Sequence, residues 1–176
     1  MGFEDSILSR AEQEENSRLS LVSKKYIGTP PSEWPFSAPL WDLTLGSQRY
    51  VTSERTEKAL LRDFPSGLLL ATVNFAELDT KLVSAFRLTP EELWTACIKD
   101  KTARVVFLWS ERTALTPPLL CPFNQFGQQE ITITDGAHRL AVSRALNIEM
   151  LHILIEKDEY SKMKEMLPSL QLIPCS

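Results

Sequence analysis

The chain has 176 residues, 43% of them hydrophobic and 24% charged, with a net charge of −4. That composition suits one packed domain of ordinary size with some extra elements. No apolar run approaches the ~20 residues that span a bilayer, and the start MGFEDSILSR is acidic where a signal peptide is basic, so the expectation is a cytoplasmic protein without membrane insertion.

The charge is unevenly placed. Residues 1–16 hold five acids (Glu4, Asp5, Glu12, Glu14, Glu15) against Arg10, so the rest balances 18 bases with 18 acids. A neutral body argues against coating DNA by bulk charge, which rests on many phosphate contacts, and leaves room for a local basic pocket. Cys97, Cys121 and Cys175 are far apart and form no CxxC pair, which supports neither a disulfide framework nor a zinc site.

In chain order, residues 3–25 read as a polar helix with a thin apolar stripe (Ile7, Leu8, Ala11, Leu19, Val22) that leans on the body or on a partner chain. Residues 28–42 carry four prolines within ten positions, which forbids regular structure, and Trp34, Phe36, Leu40 and Trp41 suggest a strap clamped to the core. A short helix capped by Ser53 is expected over 52–63. A Pro-Ser-Gly turn at 65–67 then releases the strand Leu68–Val73. Thr89, Pro90 and Glu92 form a strong helix start. Arg104–Trp109, β-branched and aromatic, reads as a buried strand, and 116–128 as a loop. EITIT (130–134) alternates as a strand, AHRLAVSRAL (137–146) is helical and closed by Asn147, and MLHILI (150–155) is another strand. This strand–helix–strand unit is expected to be a right-handed crossover between parallel strands. A last amphipathic helix covers 157–167 and stops at Pro168.

The chemistry concentrates at Asp135-Gly136-Ala137-His138-Arg139. A strand-to-helix turn leaves the first helical N–H groups unpaired beside the positive end of the dipole, where anions bind. Gly136 would let a phosphate approach, Thr134 could touch it, and His138 and Arg139 would grip its oxygens. Asp135 could cap the helix or ligate a metal or water. On the bland reading, Asp-Gly before a helix is an ordinary capping turn. Lys99, Lys101 and Arg104 cluster where they could meet nucleic-acid phosphates or complement a helix C-terminus. His152, inside an apolar strand, reads as a packed core histidine.

The stretch from Leu115 to Ile155, with Gly136-Ala137-His138-Arg139 as its Gly-x-x-Arg turn, resembles the core of the ParB/sulfiredoxin superfamily. The resemblance implies an α/β (α+β) fold: a small mixed sheet with flanking helices, a core over 67–176 and a helical, Pro-rich extension over 1–66. It departs from sulfiredoxins, whose motif cysteine is replaced by Ala137, and too little chain follows Ile155 for the helix-turn-helix region of partition proteins. The Osa-type branch of plasmid fertility-inhibition proteins fits best in size. The resemblance then implies a protein that binds ATP, hydrolyses phosphoanhydride or phosphodiester bonds with Mg²⁺, and interferes with DNA transfer by conjugation. Arg139 and His138 would hold phosphates, and Asp135 with Glu77 would serve metal or water, Asp79 being the other acid beside the first strand. A serine-type small-molecule kinase and a non-catalytic regulator of DNA or protein binding switched by a nucleotide are the alternatives.

Overall fold

The computed structural model describes residues 10–125 and 127–175. A five-stranded mixed sheet in the order β3-β2-β4-β1-β5 is flanked by helices on both faces. The acidic residues Glu4 and Asp5 and the apolar pair Ile7 and Leu8 lie outside the described residues.

Helix α1 spans Arg10–Ser23, and its anchor is polar rather than apolar. Arg104 donates to Asn16 Oδ1 at 3.0 Å, to the Asn16 carbonyl at 3.2 Å and to Ser20 Oγ at 2.9 Å. The proline-rich strap is ordered, as expected, and three indoles fasten it. Trp34 donates to Thr29 Oγ1, Trp94 to the Thr29 carbonyl and Trp109 to the Leu40 carbonyl, each at 3.0 Å. Phe36 stacks on Trp34, and both Phe36 and Trp41 meet the Trp109 ring edge-on.

Helix α2 covers Glu57–Asp63 and is capped by Thr56, not Ser53, because the chain still turns at Arg55, whose φ is 54°. Strand β1 (Leu68–Asn74) leads straight into α3 (Phe75–Lys81), capped by the Asn74 side chain. The start at Thr89–Glu92 forms as read: the Thr89 amide donates to Glu92 Oε2 at 2.8 Å and a helical turn follows, with α4 at Leu93–Ala96.

Two expectations fail here. Arg104–Trp109 is not a strand but the second half of helix α5 (Lys99–Ser110), whose buried positions Thr102, Ala103, Val105, Val106 and Trp109 recur with helical spacing. The supposed loop 116–128 contains β2 (Leu119–Gln125), which makes a hairpin with β3 (Gln128–Asp135). After β3 come α6 (Ala137–Ala145), β4 (Met150–Glu156), α7 (Tyr160–Met166) and the two-residue edge strand β5 (Gln171–Leu172). Asn147 ends α6 in the left-handed region at φ 55°.

The crossover expectation is also corrected. β2 pairs antiparallel with β3 and parallel with β4, so β3 and β4 run opposite ways with β2 between them. The parallel crossover is β2 to β4, and the hairpin return and α6 both belong to it.

Alternation along the strands sets the two faces of the sheet. Ala71, Val73, Leu120, Ile131, Leu151, Ile153 and Ile155 point to the face covered by α3, α6 and α7. Leu68, Leu70, Leu119 and Leu154 point to the other, packed by Leu43, Val51, Leu60 and Phe64. A third cluster joins α5 and α6 to the strap through Trp34, Val106, Trp109 and Val142. Residues 10–66 therefore share their apolar contacts with the rest of the chain on both sides of the sheet.

Candidate functional site

Gly136 stands between β3 and α6 with φ 90°, a conformation that residues with a Cβ adopt only with strain. A Cβ here would come within 2.8 Å of the Pro118 Cα and 2.9 Å of the Arg139 guanidinium. The glycine is therefore required by close packing of the turn on the entry to β2, which accounts for it without a phosphate.

Arg139 is held by the protein's own groups. Its side chain is only 14% exposed; Nη1 donates to the Thr116 carbonyl at 2.7 Å and Nη2 pairs with the Asp135 carboxylate. Burial pulls its pKa down and Asp135 opposes that. Asp135 is thus the counter-ion of Arg139, not the helix cap. The expected phosphate grip is a structural ion pair that ties the end of β3, the start of α6 and the approach to β2.

His138 is placed differently. Its Nδ1 lies 3.2 Å from Oγ1 of Thr102, a fully buried residue that closes the first turn of α5. Burial lowers its pKa, and the charges of Lys101 and Arg139 push the same way, so the imidazole is held neutral. This contact sets the first turns of α5 and α6 against each other. Lys99 and Lys101 therefore sit at a helix N-terminus, where the dipole disfavours cations, and not at the C-terminus that would welcome them. The first turn of α6 carries no acid. Thr134 is exposed, and its hydroxyl donates to Cys121 Sγ at 3.3 Å.

Beside this junction is a largely apolar cavity of about 180 Å³, lined by Ala85, Phe86, Leu88, Cys97, Ile98, Ile133, Ala137 and His138, among others. Burial pushes the pKa of the Cys97 thiol up, and the nearby Thr102 hydroxyl opposes that. Sequence reading missed Lys101, Thr102 and Cys97 as neighbours of the turn. Reading Lys99–Ser110 as a helix would have shown Thr102 one turn before Val106 on a buried face.

The acids near β1 are elsewhere. The Glu77 carboxylate accepts from the Ser169 amide at 3.0 Å and from the Ser169 hydroxyl. Asp79 forms a two-point ion pair with Arg144 at 2.6 and 3.2 Å, and Arg144 also lies over the Phe75 ring at 5.3 Å. These acids lie at the Asn74 end of β1, whereas Asp135 aligns with Leu119, Leu154 and Leu70 across the sheet. Four residues along a strand and three strand spacings sideways put the two ends roughly 20 Å apart. Asp135 and Glu77 therefore do not share a metal, and among the described residues no cluster of three or more His, Cys, Asp or Glu could hold one. The residues present do not fit the expected Mg²⁺ pair.

His152 is half-buried opposite Thr72 on the sheet's second face, with its pKa lowered by burial. No helix among the described residues is long and apolar enough to cross a membrane. No protein-family model matches the chain, and no curated protein or solved structure matches it significantly.

Proposed function

We propose that this chain binds a phosphate-bearing ligand of the nucleotide class at the joined first turns of α5 and α6, and acts as a ligand-switched regulatory module. The observation that carries this is the Lys101 charge, in the first turn of α5, acting on His138 at an α6 N-terminus whose own first turn holds no acid, Asp100 being the acid in the first turn of α5. Cationic groups at the positive end of a dipole are unfavourable until an anion joins them. The free N–H groups of the first turn and the Lys101 ammonium would hold the phosphate, with His138 supplying a neutral hydrogen bond. The apolar cavity alongside would take part of a base or another small group. Arg139 supports the turn without touching the ligand.

The Mg²⁺-dependent ATPase or nuclease implied by the resemblance would need Asp135 and Glu77 to meet, and they are far apart. That separation favours binding over hydrolysis. A role in plasmid DNA transfer, with DNA or a transfer protein as partner, belongs to the same proposal through the shared phosphate chemistry.

The test is calorimetry and thermal shift with ATP, ADP, pyrophosphate and a short oligonucleotide, each with and without Mg²⁺. A ligand at about 100 times its Kd adds about 2.7 kcal/mol of stability. Lys101→Ala should weaken the best ligand roughly tenfold, the loss of one charged hydrogen bond. Binding that survives Lys101→Ala and His138→Gln but fails in another part of the fold overturns the site. Phosphate release or plasmid nicking that needs Mg²⁺ would replace the module with a hydrolase.

A further inference from the structure

A second cavity, of about 340 Å³, lies where α6 ends, α3 begins and β4 starts, and Asn74, Phe75, Asp79, Arg144, Asn147 and Glu149 line it. The Phe75 amide donates to the Glu149 carbonyl at 2.8 Å, which ties the start of α3 to the entry of β4. Two groups on its walls lack the partner their chemistry requires. Nε and Nη2 of Arg144 bond to Asp79 at 3.2 and 2.6 Å, but Nη1 is buried and has no acceptor. A guanidinium carries five N–H donors, and a buried donor left without a partner is rare in folded proteins. Glu149 is exposed and has no cationic partner among the described residues.

The cavity therefore asks for an acceptor and a cation together. A simple anion is opposed by Asp79 and Glu149. A simple amine is opposed by Arg144 and leaves Nη1 unpaired. We propose that this cavity binds a free α-amino acid with an aliphatic side chain, its carboxylate on Nη1 of Arg144 and its ammonium on Glu149. The site is separate from the phosphate site proposed above, which lies at the other end of α6, and does not depend on it.

An α-carbon holds both charges within one small unit, which a cavity of this size can serve. About 340 Å³ is near the lower end of the ~300–1,000 Å³ typical of ligand pockets, so the space suits an amino acid better than a nucleotide. The guanidinium is fixed in advance by its two-point pair with Asp79 and by the Phe75 ring 5.3 Å from its Cζ, so little side-chain order is lost on binding. Nη1 is shielded from bulk water, and a small turn of the guanidinium toward the cavity gives a carboxylate a charge-assisted bond in a low-dielectric setting. The Asn147 side chain makes no hydrogen bond among the described residues, which leaves its amide to donate to the second carboxylate oxygen. Phe75, Ala76 and Ile148 give the cavity an apolar wall for the side chain.

The experiment titrates the full chain by calorimetry and thermal shift with L-leucine, L-valine and L-isoleucine. Two truncated forms of leucine are compared with them: 3-methylbutylamine, which lacks the carboxylate, and 4-methylpentanoate, which lacks the amine. At least one of the amino acids should bind, and each truncated form should bind at least about tenfold more weakly than leucine, the loss of one charged hydrogen bond. Glu149→Gln, at an exposed side chain, should weaken leucine about tenfold and leave 4-methylpentanoate unchanged. Ala76→Trp, at an exposed position in the first turn of α3, fills the cavity and should abolish binding without lowering the Tm of the free protein. No heat or Tm shift from any of the three amino acids overturns the proposal. So does an amine or acid that binds as tightly as leucine, or leucine binding unchanged in both variants.

Discussion

At the scale of single residues, Arg139 shows how a motif arginine can be consumed by its own fold. Its guanidinium is spent on the Asp135 carboxylate and the Thr116 carbonyl. Removing it leaves a carboxylate and a carbonyl short of a partner, at about 1–3 kcal/mol for an unsatisfied group. Arg139→Ala should therefore lower Tm by several degrees, at roughly 2–4 °C per kcal/mol for a chain of this size, while ligand affinity changes little. A variant with wild-type Tm and lost binding would return Arg139 to the ligand. The two histidines make a second prediction. Burial lowers the pKa of both His138 and His152 below the ordinary value of 6.5, with Lys101 and Arg139 adding to the effect at His138. A depressed histidine binds fewer protons folded than unfolded, so its stabilisation is complete above pH 6.5 and is lost as pH falls below that value toward the folded pKa. Urea denaturation from pH 7.5 to about pH 5 should show stability falling on acidification, with a shallower slope in His138→Gln. A slope identical in wild type and variant would show that His138 titrates normally.

At the scale of elements, what could be read depended on whether local pattern and tertiary pairing agree. Gly136 and the helix after it were legible because a turn residue, a capping position and a 3.6-residue pattern all fall together there. RVVFLW failed because β-branched and aromatic residues favour strands locally, while the burial of Thr102, Val105, Val106 and Trp109 against α1, α6 and the strap makes that stretch helical. β2 was hidden by Pro122, since a proline argues against a central strand. Only Leu119 and Leu120 pair with β4, so from Cys121 onward β2 bonds to β3 alone and the missing N–H has an open side to face. Missing β2 also produced the wrong crossover, because the strand between β3 and β4 was unseen. The site suffered the same way: Asp135 to Arg139 were found as a run of sequence, but Cys97, Lys101 and Thr102 reach them only through the packing of α5 on α6.

At the scale of the molecule, the chain separates two polar regions that a linear motif comparison joins. At one end of the sheet, β3, α5 and α6 gather Lys101, Thr102, His138 and the Asp135–Arg139 pair. At the other, α3 fastens the C-terminal segment and α6. Glu77 receives both Ser169 donors, Asp79 pairs with Arg144, and Lys164 donates to the carbonyls of Pro168 at 2.9 Å and Leu170 at 2.7 Å. Glu77 is therefore a latch for residues 168–172, which lead into the edge strand β5 beside β1. Glu77→Gln keeps the shape and can keep an amide oxygen on the Ser169 amide and hydroxyl, but it removes the charge that strengthens both bonds. A charged hydrogen bond weakened in this way costs about 1–2 kcal/mol, so Tm should fall by roughly 2–6 °C, and hydrogen exchange should speed up in β5 and the segment before it. Binding at the α5–α6 junction, roughly 20 Å away, should be unchanged, and EDTA should not alter it. If Glu77→Gln instead melts like wild type yet abolishes a Mg²⁺-dependent turnover, the carboxylate acts in chemistry and the separation of the two ends is bridged by a movement this arrangement lacks.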